Sequence, residues 1–216
     1  MTIAIGVLCE EGAVLLCDSM TVRQTPGGAE GFLSTEGKLG ILPELGLAFV
    51  HSGHGVQQTV APVGDFASNA RALHAAYAAI ERPVLASRFV GNNREDPDPT
   101  ELRRIGSQEV IAASIPSGQL VRIDLDSERW AEGSRIFIAG APTLWAKQQG
   151  IEKLDIPADL DGAAHLGVEI ASAFVAHHTA GRTMADYAAE GVIPPVAFPL
   201  HVIAIRGAGV VRWEIS

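Results

Sequence analysis

Cysteine is scarce in this chain: its 216 residues hold two, Cys9 and Cys17, each inside an apolar run near the amino terminus. Two thiols do not make the disulfide framework of a small secreted domain, and no Cys/His group has the spacing of a zinc site, so neither metal nor other cofactor is expected. Basic residues are few as well. Sixteen Lys and Arg against 25 Asp and Glu leave a formal charge of −9. Binding a phosphate backbone needs clustered cations, so this balance argues against a nucleic-acid partner. No basic amphipathic stretch suits a membrane surface, and no apolar run approaches the length that spans a bilayer. The amino terminus lacks the basic segment of a signal peptide, and Glu10-Glu11-Gly12 cuts its apolar run short. The expected compartment is the cytoplasm.

What the chain does have is apolar bulk. Hydrophobic residues make up 47% of it, high for a free-standing monomer and in keeping with buried interfaces between subunits. The length suits one domain over residues 1–216, with a sizeable core. Ile3–Cys9 and Ala13–Asp18 are β-rich runs joined by Glu10-Glu11-Gly12, which reads as a hairpin. A polar, glycine-bearing loop is expected from Gln24 through Gly37. Lys38–Leu42 and Leu47–Ser52 then form a second strand pair around Pro43.

Apolar residues at Val60, Phe66, Ala70, Leu73 and Tyr77 fall at helical spacing, with Asp65 an adequate N-cap, and a weaker helical segment is expected over Val84–Phe89. Residues 91–100 (GNNREDPDPT) read as a polar surface loop. Strands return at Glu109–Ile115, Leu120–Asp124 and Arg135–Ala139. Helices follow over Thr143–Gln149, Ala163–His178 and Thr183–Ala189, before a last strand pair at His201–Arg206 and Val210–Ile215. Without strict βαβ alternation, this order favours antiparallel sheets with helices packed outside, an α+β fold.

Thr2 follows Met1 directly, and Met is generally removed before a small residue. Its removal would leave one residue carrying both a hydroxyl nucleophile and an amine able to take the hydroxyl's proton. Such chemistry asks for a nucleophile at the start of a strand, a nearby cation to keep the amine a free base, a carboxylate to hold that cation, and backbone N–H groups facing the developing oxyanion. Thr2 heads the first strand, Asp18 ends its hairpin partner, Lys38 begins the third, and Gly53 opens the turn after the fourth. All four can meet at one sheet edge. Other candidates have plainer readings. Cys9 and Cys17 suit a core, His177 and His178 point to different faces of a helix end, and His51 and His54, flanking the Ser52-Gly53 turn, read as exposed loop residues rather than the lining of a substrate pocket.

The stretches TIAIGVLCEEGAVLLCDS, TEGKLGIL and LAFVHSGHG resemble the β-type subunits of the proteasome and their bacterial relatives. The resemblance implies a four-layer αββα sandwich of two antiparallel sheets flanked by helices. It implies Thr2 as nucleophile and, through its amine, base; Lys38 as the cation tuning that amine; Asp18 as the residue orienting Lys38; and Gly53 N–H as the oxyanion donor. It further implies peptide or unfolded-protein substrates and a homo-oligomer, as a ring or related array, and it leaves open an ATP-driven unfoldase as partner. The carboxyl-terminal half departs from the pattern. Ala139-Gly140-Ala141-Pro142 lacks the serine expected before a helix, and Asp186-Tyr187-Ala188-Ala189-Glu190-Gly191 keeps an aspartate but not its companion serine. Asp186 is thus an accessory candidate. Two rivals share the fold: an inactive, self-assembling subunit that keeps Met1, and a small-molecule amidase without a proteolytic chamber.

Overall fold

In a computed structural model, β1 (Ile3–Cys9) and β2 (Gly12–Asp18) form the expected hairpin, Ala4 opposite Cys17 and Cys9 opposite Gly12. The structure describes residues 2–25, 28–53, 59–90, 108–133, 135–140, 142–180, 182, 184–190 and 198–215. The polar loop read at 91–100, His54, Ala141 and Gly191 lie outside them. The hairpin sits inside a five-stranded antiparallel sheet, completed by β10 (Arg135–Gly140) beside β1 and by β11 (Leu200–Arg206) and β12 (Gly209–Ile215) beyond β2. A second antiparallel sheet runs β5 (Leu39–Leu42), β6 (Leu47–Ser52), β7 (Glu109–Ser114), β8 (Leu120–Ile123) and β9 (Glu128–Trp130).

The two sheets share one core. In β1 the even positions, Ala4 among them, face Ala48, Val50, Ile111 and Leu120 of the second sheet. The odd positions Ile3, Ile5 and Val7 face α3 (Leu160–Thr179) and α2 (Thr143–Gln149). Leu47, Phe49, Val110 and Ala112 turn the other way, onto Ala70, Leu73 and Tyr77 of α1 (Phe66–Val90). Helix, sheet, sheet and helix are therefore stacked in that order, the α+β sandwich expected. Strands covered on both faces read as continuous apolar runs, which is why the amino-terminal sequence shows no polar–apolar alternation. Gly6 lets the sheets close: a Cβ there would lie 2.6 Å from Ile111 Cγ2.

The structure departs from the sequence reading in three places. β3 (Met20–Thr25) pairs with β4 (Gly28–Leu33) in a two-stranded sheet where a polar loop is expected. Thr21, Val22 and Thr25 carry β propensity that the flanking glycines obscure. The three-residue edge strand β9 is too short and polar to show a pattern. α1 also runs unbroken across Pro83 to Val90, where two segments are expected; proline removes one donor at a cost but does not forbid a helix. Its start agrees with the N-cap reading, since Asp65 Oδ1 accepts from Ser68 N–H at 2.9 Å.

Candidate active site

Asp18 ends β2 fully buried, and its carboxylate gathers three partners. Oδ1 accepts from the Ile3 amide at 2.8 Å, Oδ2 accepts from the Met20 amide at 3.0 Å, and Lys38 Nζ stands 3.3 Å from each oxygen. The ammonium also donates to the carbonyl of Met20 and approaches that of Asp18 at 3.5 Å. Lys38 is placed by the turn before β5: its amide donates to Thr35 O at 2.9 Å, and its carbonyl accepts from the His51 amide at 2.6 Å. A buried ion pair is weak evidence of stabilisation, because desolvating two charges offsets most of their attraction. Here the pair is tied to the peptide that follows Thr2. Thr2 is itself buried, immediately before β1.

A second cluster closes the same corner. Pairing of β1 with β10 sets Ile3 opposite Gly140, and pairing of β6 with β7 sets Ser52 opposite Glu109. Gly140 has φ +82°, and a Cβ there would fall on both the Thr2 carbonyl and Ser52 Oγ. Its amide donates to Glu109 Oε2 at 2.6 Å, while Glu109 Oε1 accepts from Arg122 Nη2 at 2.6 Å. Glu109 and Arg122 are both buried, and the sequence reading passed over them. The available signal was a charge set within each of two apolar strands, EVIAAS and LVRI.

Gly53, next to Ser52, is exposed at φ +153°, and a side chain there would strike Gln108 Oε1 and His51 Nε2. Beneath this turn His51 stacks on Tyr77 with ring centroids 3.8 Å apart, and its Nε2 meets Gln108 Oε1. His51 Nδ1 and the Tyr77 hydroxyl converge on the Gly37 carbonyl at 3.2 and 3.1 Å. His51 is thus a buried strut between the Gly53 turn and the Lys38 turn, not the exposed loop residue the sequence favoured. Asp186 is exposed in the first turn of α4 (Met184–Ala189) and is not among the described partners of Asp18 or Lys38.

Ser19, following Asp18, donates to Pro199 O at 2.5 Å and meets His201 Nε2 at 2.8 Å. Glu214 Oε1 stands 3.3 Å from His201 Nδ1 without hydrogen-bond geometry, and burial holds the imidazole below its ordinary range despite that carboxylate. Burial, reinforced by the Asp18 charge, pushes the Cys17 thiol up to about 12. Cys9 and Cys17 are both free and buried, as core residues should be. Among the described residues no group of three or more His, Cys, Asp and Glu could hold a metal ion, and no helix is long and apolar enough to cross a membrane.

The layered sheets and the corner where β1, β2, β6 and β10 meet can be set beside solved structures. The fold is similar to that of Anbu. The comparison is with a Gly-1 mutant of the Hyphomicrobium sp. strain MC1 protein, at a TM-score of 0.51 and 13% identity, covering 100% of this chain and 88% of that one. At such identity the likeness to Anbu shows the fold alone. No protein-family model matches the chain, and no curated protein matches it in sequence.

Proposed function

We propose that this protein is a proteasome-like N-terminal-nucleophile hydrolase that cleaves peptide or amide bonds once Met1 is removed. The observation carrying this reading is the Asp18 carboxylate, which binds the Ile3 amide with one oxygen and holds Lys38 at 3.3 Å. It couples a buried cation to the residue whose freed amine would serve as base. The fold shared with Anbu is in keeping with this reading.

In this reading Thr2 Oγ1 attacks the scissile carbonyl carbon while its proton passes to the Thr2 amine. The Lys38 ammonium disfavours a second positive charge nearby and so keeps that amine a free base near neutral pH. The Gly53 N–H receives the oxyanion. The amine returns its proton to the departing amino group, leaving an ester on Thr2 that water hydrolyses. Asp186 is an accessory group at most. Copies of the chain assemble through apolar surface, as a ring or related array, with peptide or unfolded protein as substrate and an ATP-driven unfoldase as a partner to be sought.

The test is hydrolysis of fluorogenic peptide amides by protein whose intact mass shows Met1 lost. Thr2→Ala and Lys38→Ala should each abolish turnover. Equal turnover in Thr2→Ala would refute the reading.

A further inference from the structure

Thr2 and Ser52 stand apart from the other buried polar side chains. Thr2 is 6% exposed and Ser52 6%. Neither hydroxyl has a hydrogen-bond partner among the described residues, yet neither oxygen is sealed off as Arg122 Nε and His201 Nδ1 are, so both still meet solvent. Buried polar side chains elsewhere make at least one bond: Asp18 with Lys38, Ser19 with Pro199 and His201, Asn69 with Leu45, Glu109 with Arg122, Thr179 with Val175. A hydroxyl with no protein partner that solvent still reaches is free to accept a new donor placed beside it. These two hydroxyls, moreover, belong to one corner. The space of the absent Gly140 side chain touches the Thr2 carbonyl on one side and Ser52 Oγ on the other. Glu109 fixes that space from behind by holding the Gly140 amide at 2.6 Å.

We infer that Ser52 is a positioning residue for the amino group of Thr2. This rests on the hydrolase reading above. Removal of Met1 turns a peptide nitrogen into an amine with new N–H donors and a lone pair, beside the carbonyl that Ser52 Oγ already neighbours. The Ser52 oxygen accepts one of those N–H groups. That bond stops the amine rotating and leaves its lone pair facing Thr2 Oγ1, as proton transfer requires. The unpaired state of both hydroxyls then belongs to the chain that still carries Met1, and cleavage supplies the partner. Gly140 is necessary because any side chain would occupy the gap between the Thr2 carbonyl and Ser52 Oγ.

The experiment follows acylation of processed protein by a β-lactone, read as intact mass against time from pH 5 to 9. Ser52→Ala should keep its melting temperature yet acylate about tenfold more slowly at the plateau. The rising limb should move to lower pH, because a hydroxyl accepting from the amine favours the ammonium form and its loss lowers the amine's pKa. An unchanged rate and limb, in a background where wild type acylates, overturns the role of Ser52 and leaves the hydrolase standing. Failure of processed wild type to acylate overturns both. Ser52→Cys gives an independent arm. Methyl methanethiosulfonate should label the introduced thiol before, but not after, the lactone adduct forms, and equal labelling in both states contradicts the proximity that the inference requires.

Discussion

Single side chains hold this corner together, and Asp18 does the most. It satisfies two backbone amides and one ammonium at once, whereas Lys38 satisfies acceptors alone. Asp18→Ala leaves an unpaired buried cation and two orphaned amides, so about 3–5 kcal/mol of stability should be lost. Lys38→Met leaves a carboxylate that keeps both amide donors, and should cost clearly less. Urea denaturation of the two variants checks the order, and a larger loss for Lys38→Met would contradict it.

His201 sets a pH dependence at the same scale. Burial depresses its folded pKa below the ordinary 6.5, so the unfolded chain takes up protons first as pH falls. Stability should therefore decline as pH drops through about 6.5 toward the folded value, and be free of this penalty above it. Melting temperatures of wild type and His201→Gln between pH 7.5 and 5 test the sign: the variant should lose less on acidification. Asp18 and Lys38 are readable as partners only through the chemistry an N-terminal nucleophile asks for and through the family resemblance, since either charge alone reads as a turn or surface residue. Ser52 is not readable, since a serine before a glycine looks like any turn.

Elements bring these residues together through register, and register is where the sequence falls short. The contact of Gly140 with Thr2 and Ser52 depends on β1 pairing with β10 and on β6 facing β1 across the core. Nothing local to Ala139-Gly140-Ala141-Pro142 announces it. Gly140→Ala should destabilise the fold by roughly 2 kcal/mol, through a φ that side chains avoid and a clash with Thr2, and should also abolish acylation. A variant of native stability and reactivity would show that the corner is loosely packed. The β1–β2 hairpin was legible because Glu10-Glu11-Gly12 breaks two strong β runs. The β3–β4 pair was not, since Gly28 and Gly31 dilute its signal and its polar residues read as loop. Cys17, sealed between the sheets with its thiol pushed up to about 12, should resist Ellman's reagent at pH 8 until the protein unfolds.

At the scale of the whole molecule, apolar content and element order pointed to two antiparallel sheets covered by helices, because only that stacking buries strands apolar on both faces. Assembly lies beyond a single chain, yet the 47% apolar composition makes a definite prediction. Light scattering should give a particle several times the 22.7 kDa of one chain. A monomer would favour the amidase rival.

The central claim is that Thr2 becomes the nucleophile, and intact mass spectrometry after exposure to a threonine-esterifying β-lactone tests it most directly. The account predicts a mass lacking Met1 and carrying one inhibitor adduct, absent in Thr2→Ala. A mass that keeps Met1 and carries no adduct would contradict it, leaving the rival of a non-catalytic subunit on the same fold.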